Sequence, residues 1–311
     1  MADAAAPISA FFGGLPSKPP PPIIRKTLAF LSCFEYDWGM ASFDQYLDQQ
    51  LARGRAYFSR QEALDALSLV PQNLAAAISR LIRKRRLANP RHGFYLILRP
   101  EDRALGAPDP AHWIDPLMKH QGIDYRISLL RAATFHGSSH QAAMVFQVVV
   151  PKQLRGFEIG RHRLQFIYQA PHAFAEANRP EWLAQMKSEA GFAKVAGIEL
   201  TLLDCARYLH RAAGVNGVAQ IARDLGGKAD PRKLARLANV YENSSVRRLG
   251  YLLELARHVR QAKALEPFAR EAKSLKPLDP AAKPLAASLA SPQKKNPKWM
   301  LLINERVEVE T

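Results

Sequence analysis

Between Arg80 and Arg91 the chain carries Arg80, Arg83, Lys84, Arg85, Arg86 and Arg91, six cations with no acid among them. Just upstream stand Gln72, Asn73 and Ser79. Guanidinium and ammonium groups neutralise phosphates, while amide and hydroxyl side chains match the donors and acceptors of base edges. The combination suits holding and reading a polyanion. Ala75 and Ala76 lie within the same stretch and are small enough for a helix to approach a duplex closely. A basic run at a helix end also suits the helix dipole and plain solvation, so the surrounding elements have to decide.

Those elements follow from local signals. Ser59 and Glu62 have capping-box spacing and open a short helix over Arg60 to Leu67. Val70-Pro71 then starts a second helix, because proline at the first turn has no N–H to leave unpaired. Leu74, Ala77, Ile78, Leu81 and Ile82 recur at helical spacing as one apolar stripe. Helical rotation turns Gln72, Ala76, Ser79, Arg83 and Arg86 to the other side, flanked by Asn73, Arg80 and Lys84. Residues 72–86 are the expected extent of this helix. Asn89-Pro90-Arg91-His92-Gly93 reads as a turn and Phe94 to Leu98 as a strand, so Arg91 marks the tip of a β-hairpin. An earlier helix runs from Ser42, its N-cap, to Arg53, with Phe43, Tyr46, Leu47 and Leu51 on one face and Gly54 ending it. Helix, helix, turn, helix and hairpin in this order predict a winged helix-turn-helix that lays residues 72–86 in a major groove of double-stranded DNA. Gln72, Asn73 and Ser79 are the candidates for base edges. Arg80, Arg83, Lys84, Arg86 and Arg91 are the candidates for phosphates.

Composition agrees. The chain has 311 residues, enough for two domains, and is 48% hydrophobic, enough for a sizeable core. Its net charge of +16 and isoelectric point near 10.0 favour nucleic acid as partner, with an anionic membrane surface second. No apolar run approaches the roughly 20 residues of a spanning helix. Cys33 and Cys205 are far apart and lack metal-ligand spacing, which fits the cytoplasm better than a disulfide scaffold. Residues 1–39 read as a Pro-rich leader without regular structure, with Lys18 followed by Pro19 to Pro22. Thr27 to Phe34 resembles a signal-peptide core superficially, but the run is short and no clean cleavage site follows. Met40 is an alternative start. The expected division is 1–39 leader, 40–104 DNA-binding module and 105–311 a larger second domain.

Pro100 to Pro116 reads as a linker that packs through Trp113 and Ile114. A helix is expected from Asp124 to Phe135, with strands at Val145–Val150 and Leu164–Tyr168. Helices follow at Glu199–Ala212, Val215–Leu225, Pro231–Asn239 and Ser244–Ala262, then a loop over 273–298 and a strand from Trp299 to Val309. The fold class is α+β: an N-terminal winged helix-turn-helix and a C-terminal domain with a small sheet and several helices. No catalytic constellation emerges. His136 and His140 are four apart, as on a zinc-binding helix face, but Gly137 and two serines intervene and no third ligand stands out, so polar capping of a helix end is the plainer account. G-x-S-x-G, P-loop and G-x-G-x-x-G patterns are absent. Asp204 with Arg207 or Tyr208 reads as a structural pair. Arg247-Arg248 beside Asn243 could bind phosphate or an acid, but a solvated face is the simpler expectation. No enzyme, metal or cofactor is expected.

Residues 53–64 (RGRAYFSRQEAL) and 91–97 (RHGFYLI) resemble the N-terminal winged helix of AbiEi-type abortive-infection antitoxins. The resemblance continues through 103–108 (RALGAP), 128–141 (SLLRAATFHGSSHQ), 146–150 (FQVVV), 202–208 (LLDCARY) and 247–253 (RRLGYLL), and spans about 42–310. It implies a non-enzymatic antitoxin of a type IV toxin–antitoxin system, whose functional partner is a nucleotidyltransferase-like toxin usually encoded alongside. It also implies that the N-terminal module represses its own operon by binding inverted repeats in the promoter. The C-terminal domain would counter the toxin without a stable complex being required. The Pro-rich leader departs from the family pattern. Two other readings stand beside this one: a winged helix regulator with a ligand-sensing C-terminal domain and no cognate toxin, and a nucleic-acid enzyme, for which spaced metal-binding carboxylates are lacking.

Overall fold

The computed structural model describes residues 43–138, 145–188, 191–282 and 294–307. The chain divides into two compact units, 1–45 and 46–311. Of the first, residues 43–45 are described and are helical. The leader and the Ser42 cap lie outside the described residues, as do Ser139 and His140.

The second unit opens with helical residues 46–52 (α1), closed by Gly54 at a φ of 72°, the left-handed ending a glycine permits. Strand β1 (Tyr57–Ser59) leads into α2 (Arg60–Leu67) and α3 (Pro71–Arg83), followed by β2 (Leu87–Arg91) and β3 (Phe94–Ile97). The three strands form one sheet in the order β1-β3-β2, with both pairings antiparallel. Helix α3 ends at Arg83 and not at 86; Lys84 caps it and Arg85 turns left-handed at a φ of 53°. Ile82, expected within the apolar stripe, is exposed.

The expected linker runs into α4 (Ile114–His120), preceded by Trp113, which is buried and donates its indole N–H to the Pro108 carbonyl at 3.0 Å. The helix expected from Asp124 breaks into β4 (Arg126–Ile127) and α5 (Leu129–Phe135), because Arg126 and Ile127 pair with a strand on either side. Strands β5 (Val145–Val150), β6 (Phe157–Ile159), β7 (His162–Tyr168), β8 (Leu183–Ser188) and β9 (Gly191–Ala196) complete a six-stranded mixed sheet in the order β6-β7-β5-β4-β9-β8. The short helix α6 (Pro171–Ala177) connects β7 to the β8–β9 hairpin.

Helices α7 (Ile198–Arg207), α8 (Gly214–Gly226), α9 (Pro231–Ala238) and α10 (Asn243–Leu255) follow, and α10 packs on α7 and α8. The helix expected over 244–262 is two. Arg257 takes a φ of 64°, and α11 (Val259–Arg270) packs back on α10. The ring of His258 sits at the break, hydrogen-bonded to the Arg223 carbonyl at 2.9 Å. Within the expected loop of 273–298, β10 (Lys276–Pro277) and β11 (Lys294–Asn296) flank the terminal strand β12 (Leu301–Ile303), which is shorter than expected. The apolar core is continuous, running from Phe94 and Leu96 of the hairpin through the six-stranded sheet to Trp299 and Leu301.

Candidate nucleic-acid interface

Helix α2 is fixed at its start. The Ser59 hydroxyl accepts from the Glu62 N–H at 3.2 Å, and the Glu62 carboxylate accepts from the Ser59 N–H at 2.7 Å. The same carboxylate pairs with Arg55 at 2.6 Å. Partial burial would raise the Glu62 pKa, but the bonds from Arg55 and Ser59 outweigh it and hold the carboxyl below its ordinary value. Tyr46 packs edge-on against Phe58, which fastens α1 to this corner.

Helix α3 buries Leu74, Ala77, Ile78 and Leu81. The outward side is open: Gln72, Asn73, Ser79, Arg83 and Lys84 are exposed, and Arg80 and Arg86 are half-buried. Arg80 and Arg83 lie in the last turn, where a cation also complements the helix dipole. Arg80 bends back and donates to the Ala76 carbonyl at 3.4 Å. Lys84 and Arg86 lie past the helix end, in the turn that leads to β2. The exposed face therefore presents two amides in its N-terminal half, and a hydroxyl and cations toward and past its C-terminal end.

Arg91 departs from this arrangement. The hairpin pattern puts it at a free wing tip on phosphate. In the fold its guanidinium instead donates to the Arg155 carbonyl and lies 4.4 Å from the Phe157 ring centroid, with Phe166 at 5.8 Å. Burial lowers its pKa. The hairpin leans on the six-stranded sheet, so its cation is spent on β6 and β7. Two glycines bring the hairpin side and the sheet close: a Cβ on Gly160 would lie 2.1 Å from the Leu105 carbonyl oxygen, and one on Gly106 would lie 2.7 Å from Gly160 Cα. The Arg161 N–H donates to that Leu105 carbonyl at 2.8 Å.

Other singled-out residues turn out to be structural. Asp204 pairs with neither Arg207 nor Tyr208. Both of its oxygens take Arg126, from Nε and Nη2, at 3.0 Å each. Ser128 and Tyr241 donate their hydroxyls to the same carboxylate at 2.6 Å each, and Gln169 accepts from Arg126 at 2.7 Å. Arg126 and Asp204 have no exposed surface. Burial alone would lower the Arg126 pKa, but the carboxylate raises it above its ordinary value. Arg207 instead reaches Glu242 at 3.0 Å. Arg247 and Arg248, expected on a solvated face, are buried. Arg247 donates to the carbonyls of Met300 at 2.6 Å and Ser274 at 3.2 Å, and Arg248 to that of Pro277 at 3.2 Å. They clamp the last sheet onto α10. Backbone carbonyls supplied from 27 to 53 residues away give no signal in the local sequence. His136 bonds the Ala196 carbonyl at 2.7 Å and burial lowers its pKa. Among the described residues no group of three or more His, Cys, Asp or Glu could hold a metal ion.

This geometry, an open basic helix face backed by a tightly bonded body, meets the comparisons with known proteins at the body. Residues 126–255 match the AbiEi antitoxin C-terminal domain. The match supports an AbiEi-type antitoxin. It begins at the first residue of β4 and ends at the last of α10, and it contains Arg126, Ser128, Asp204 and Tyr241. In fold, the chain is similar to the crystal structure of the RV2827C protein from Mycobacterium tuberculosis, with a TM-score of 0.62 at 17% identity. That likeness covers 85% of this chain and 90% of the other. A comparison with curated proteins finds no match. No described helix is long and apolar enough to cross a membrane.

Proposed function

We propose that the chain is the antitoxin of a type IV toxin–antitoxin system and the repressor of its own operon. Residues 46–98 act as a winged helix DNA-binding module. Helix α3 enters the major groove of promoter inverted repeats: Gln72, Asn73 and Ser79 meet base edges, and Arg80, Arg83, Lys84 and Arg86 meet phosphates. The matched domain counters a nucleotidyltransferase-like toxin. The observation that carries the antitoxin half is the match over 126–255. The observation that supports the DNA half is the open face of α3, a helix that carries cations and no acid.

Co-expression with the adjacent gene tests the first half. Growth rescue by the full chain is expected, and an adjacent gene that is harmless when expressed alone would count against it. A mobility shift on the chain's own upstream duplex tests the second half, and binding that is indifferent to sequence would count against operator recognition.

A further inference from the structure

Beside the C-terminal end of α3 lies a crevice of about 300 Å³ that the proposed DNA-binding face leaves unused. Ile82 and Arg85 line it from the helix end, Leu87 and Leu98 from the hairpin, Arg103 and Leu105 from the turn before α4, and Arg161 from the β6–β7 turn. Its volume is at the small end for a ligand pocket. Ile82 and Leu105 leave 39% and 40% of their surfaces exposed there, two large aliphatic side chains open to water within one concavity. Among the described residues Arg85, Arg103 and Arg161 form no ion pair, and no acid lines the crevice. The wall opposite α3 is set before any ligand arrives, because the Arg161 N–H is bonded to Leu105 and Gly160 packs backbone to backbone on Gly106.

We infer that this crevice binds a phosphate monoester attached to a small apolar or aromatic body, a nucleotide in chemical class. Three guanidiniums match a phosphate dianion better than a single carboxylate, and each can meet its oxygens with two parallel N–H donors. Ile82, Leu87, Leu98 and Leu105 supply the surface for the apolar body. The same chemistry reaches the site from two sources, a free nucleotide or a nucleotide unit of a bound strand. Cations from the turn after α3, from the turn before α4 and from the β6–β7 turn close on one group, so occupancy braces the end of the helix against the body.

The test uses the full chain. Calorimetric titration with AMP is run beside adenosine, which lacks the phosphate, and inorganic phosphate, which lacks the body. Binding of the chain's upstream duplex is measured in parallel. If the free nucleotide is the source, AMP binds at least tenfold more tightly than either fragment, and Arg103→Ala with Arg161→Ala weakens it at least tenfold. If the strand is the source, the double variant weakens duplex binding instead, or both. Arg85→Gln, on the other wall, reproduces the loss independently. All three positions are exposed, so unchanged melting curves are expected to show intact folding. Equal affinity of wild type and variants for both probes, or no binding of either probe by the wild type, overturns the inference. A wild type that binds AMP but not duplex would contradict the DNA reading and leave this one standing.

Discussion

Replacing Asp204 by Asn examines the heart of the body. The side chain keeps its shape but loses the charge that compensates Arg126. In the structure one carboxylate accepts four bonds, two from Arg126 and one each from Ser128 and Tyr241. An amide retains one oxygen, so at most part of this set survives, and its NH₂ would face the guanidinium. Breaking a buried pair from one side costs about 3–5 kcal/mol, because the remaining charge is left without a partner in a low dielectric. For a folded unit of this size each kcal/mol moves the melting temperature by about 2–4 °C, so a fall of roughly 6–20 °C is expected. Thermal melts of the full chain at neutral pH measure it. Arg126→Met combined with Asp204→Leu should recover part of the loss, since no unpaired charge remains buried, though the Ser128 and Tyr241 hydroxyls lose their acceptor. In the cycle formed with the single variants Arg126→Met and Asp204→Leu, the coupling is expected to be about 2 kcal/mol or more. A loss below about 1 kcal/mol for Asp204→Asn would mean that water or another group compensates Arg126, and the buried pair would not be what holds the body together.

Gly160→Ala should destabilise by about 2–4 kcal/mol, combining a left-handed φ of 56° with a Cβ forced toward the Leu105 oxygen, and denaturant titration reads it directly. Arg91→Ala is expected to cost about 1–2 kcal/mol as the ring stacking and carbonyl bond disappear, while leaving the salt dependence of duplex binding unchanged. Glu62 gives a pH signature. Its carboxyl titrates lower in the folded chain than in the unfolded one, so its stabilising effect is full above the ordinary value of 4.5 and is lost as pH falls through the lowered folded value. The melting temperature of the wild type should therefore drop more steeply below about pH 4.5 than that of Glu62→Gln, and parallel curves would contradict the capping assignment.

What can be read from the residues is what is local. The Ser59–Glu62 capping box, Pro71 at the start of α3 and the Leu74–Ala77–Ile78–Leu81 stripe are set by neighbours within a turn or two, and each stands where the spacing places it. The errors fall where partners are distant. Arg126 sits in a strand and not a helix because Val149 lies across from it in β5 and Asp204 bonds it from 78 residues away. Arg247 and Arg248 look like solvated cations until the carbonyls around Met300 and Pro277 fold over them. The α10–α11 break has no proline or glycine at Arg257 to announce it. There α11 folds back on α10, and the His258 ring packs against Gly226 of α8. Arg91 is legible as a cation on a turn but not as one covered by Phe157, because β6 lies more than 60 residues on.

The central claim is that duplex DNA is held through the cations of α3 and of the turn that follows it. Fluorescence anisotropy on the chain's upstream duplex, repeated from about 50 to 200 mM salt, addresses it most directly. The account predicts that Arg83→Glu with Arg86→Glu weakens binding to every sequence and flattens the logarithmic salt slope by about 0.9 for each phosphate no longer neutralised. Wild-type affinity and an unchanged slope in that variant would contradict it.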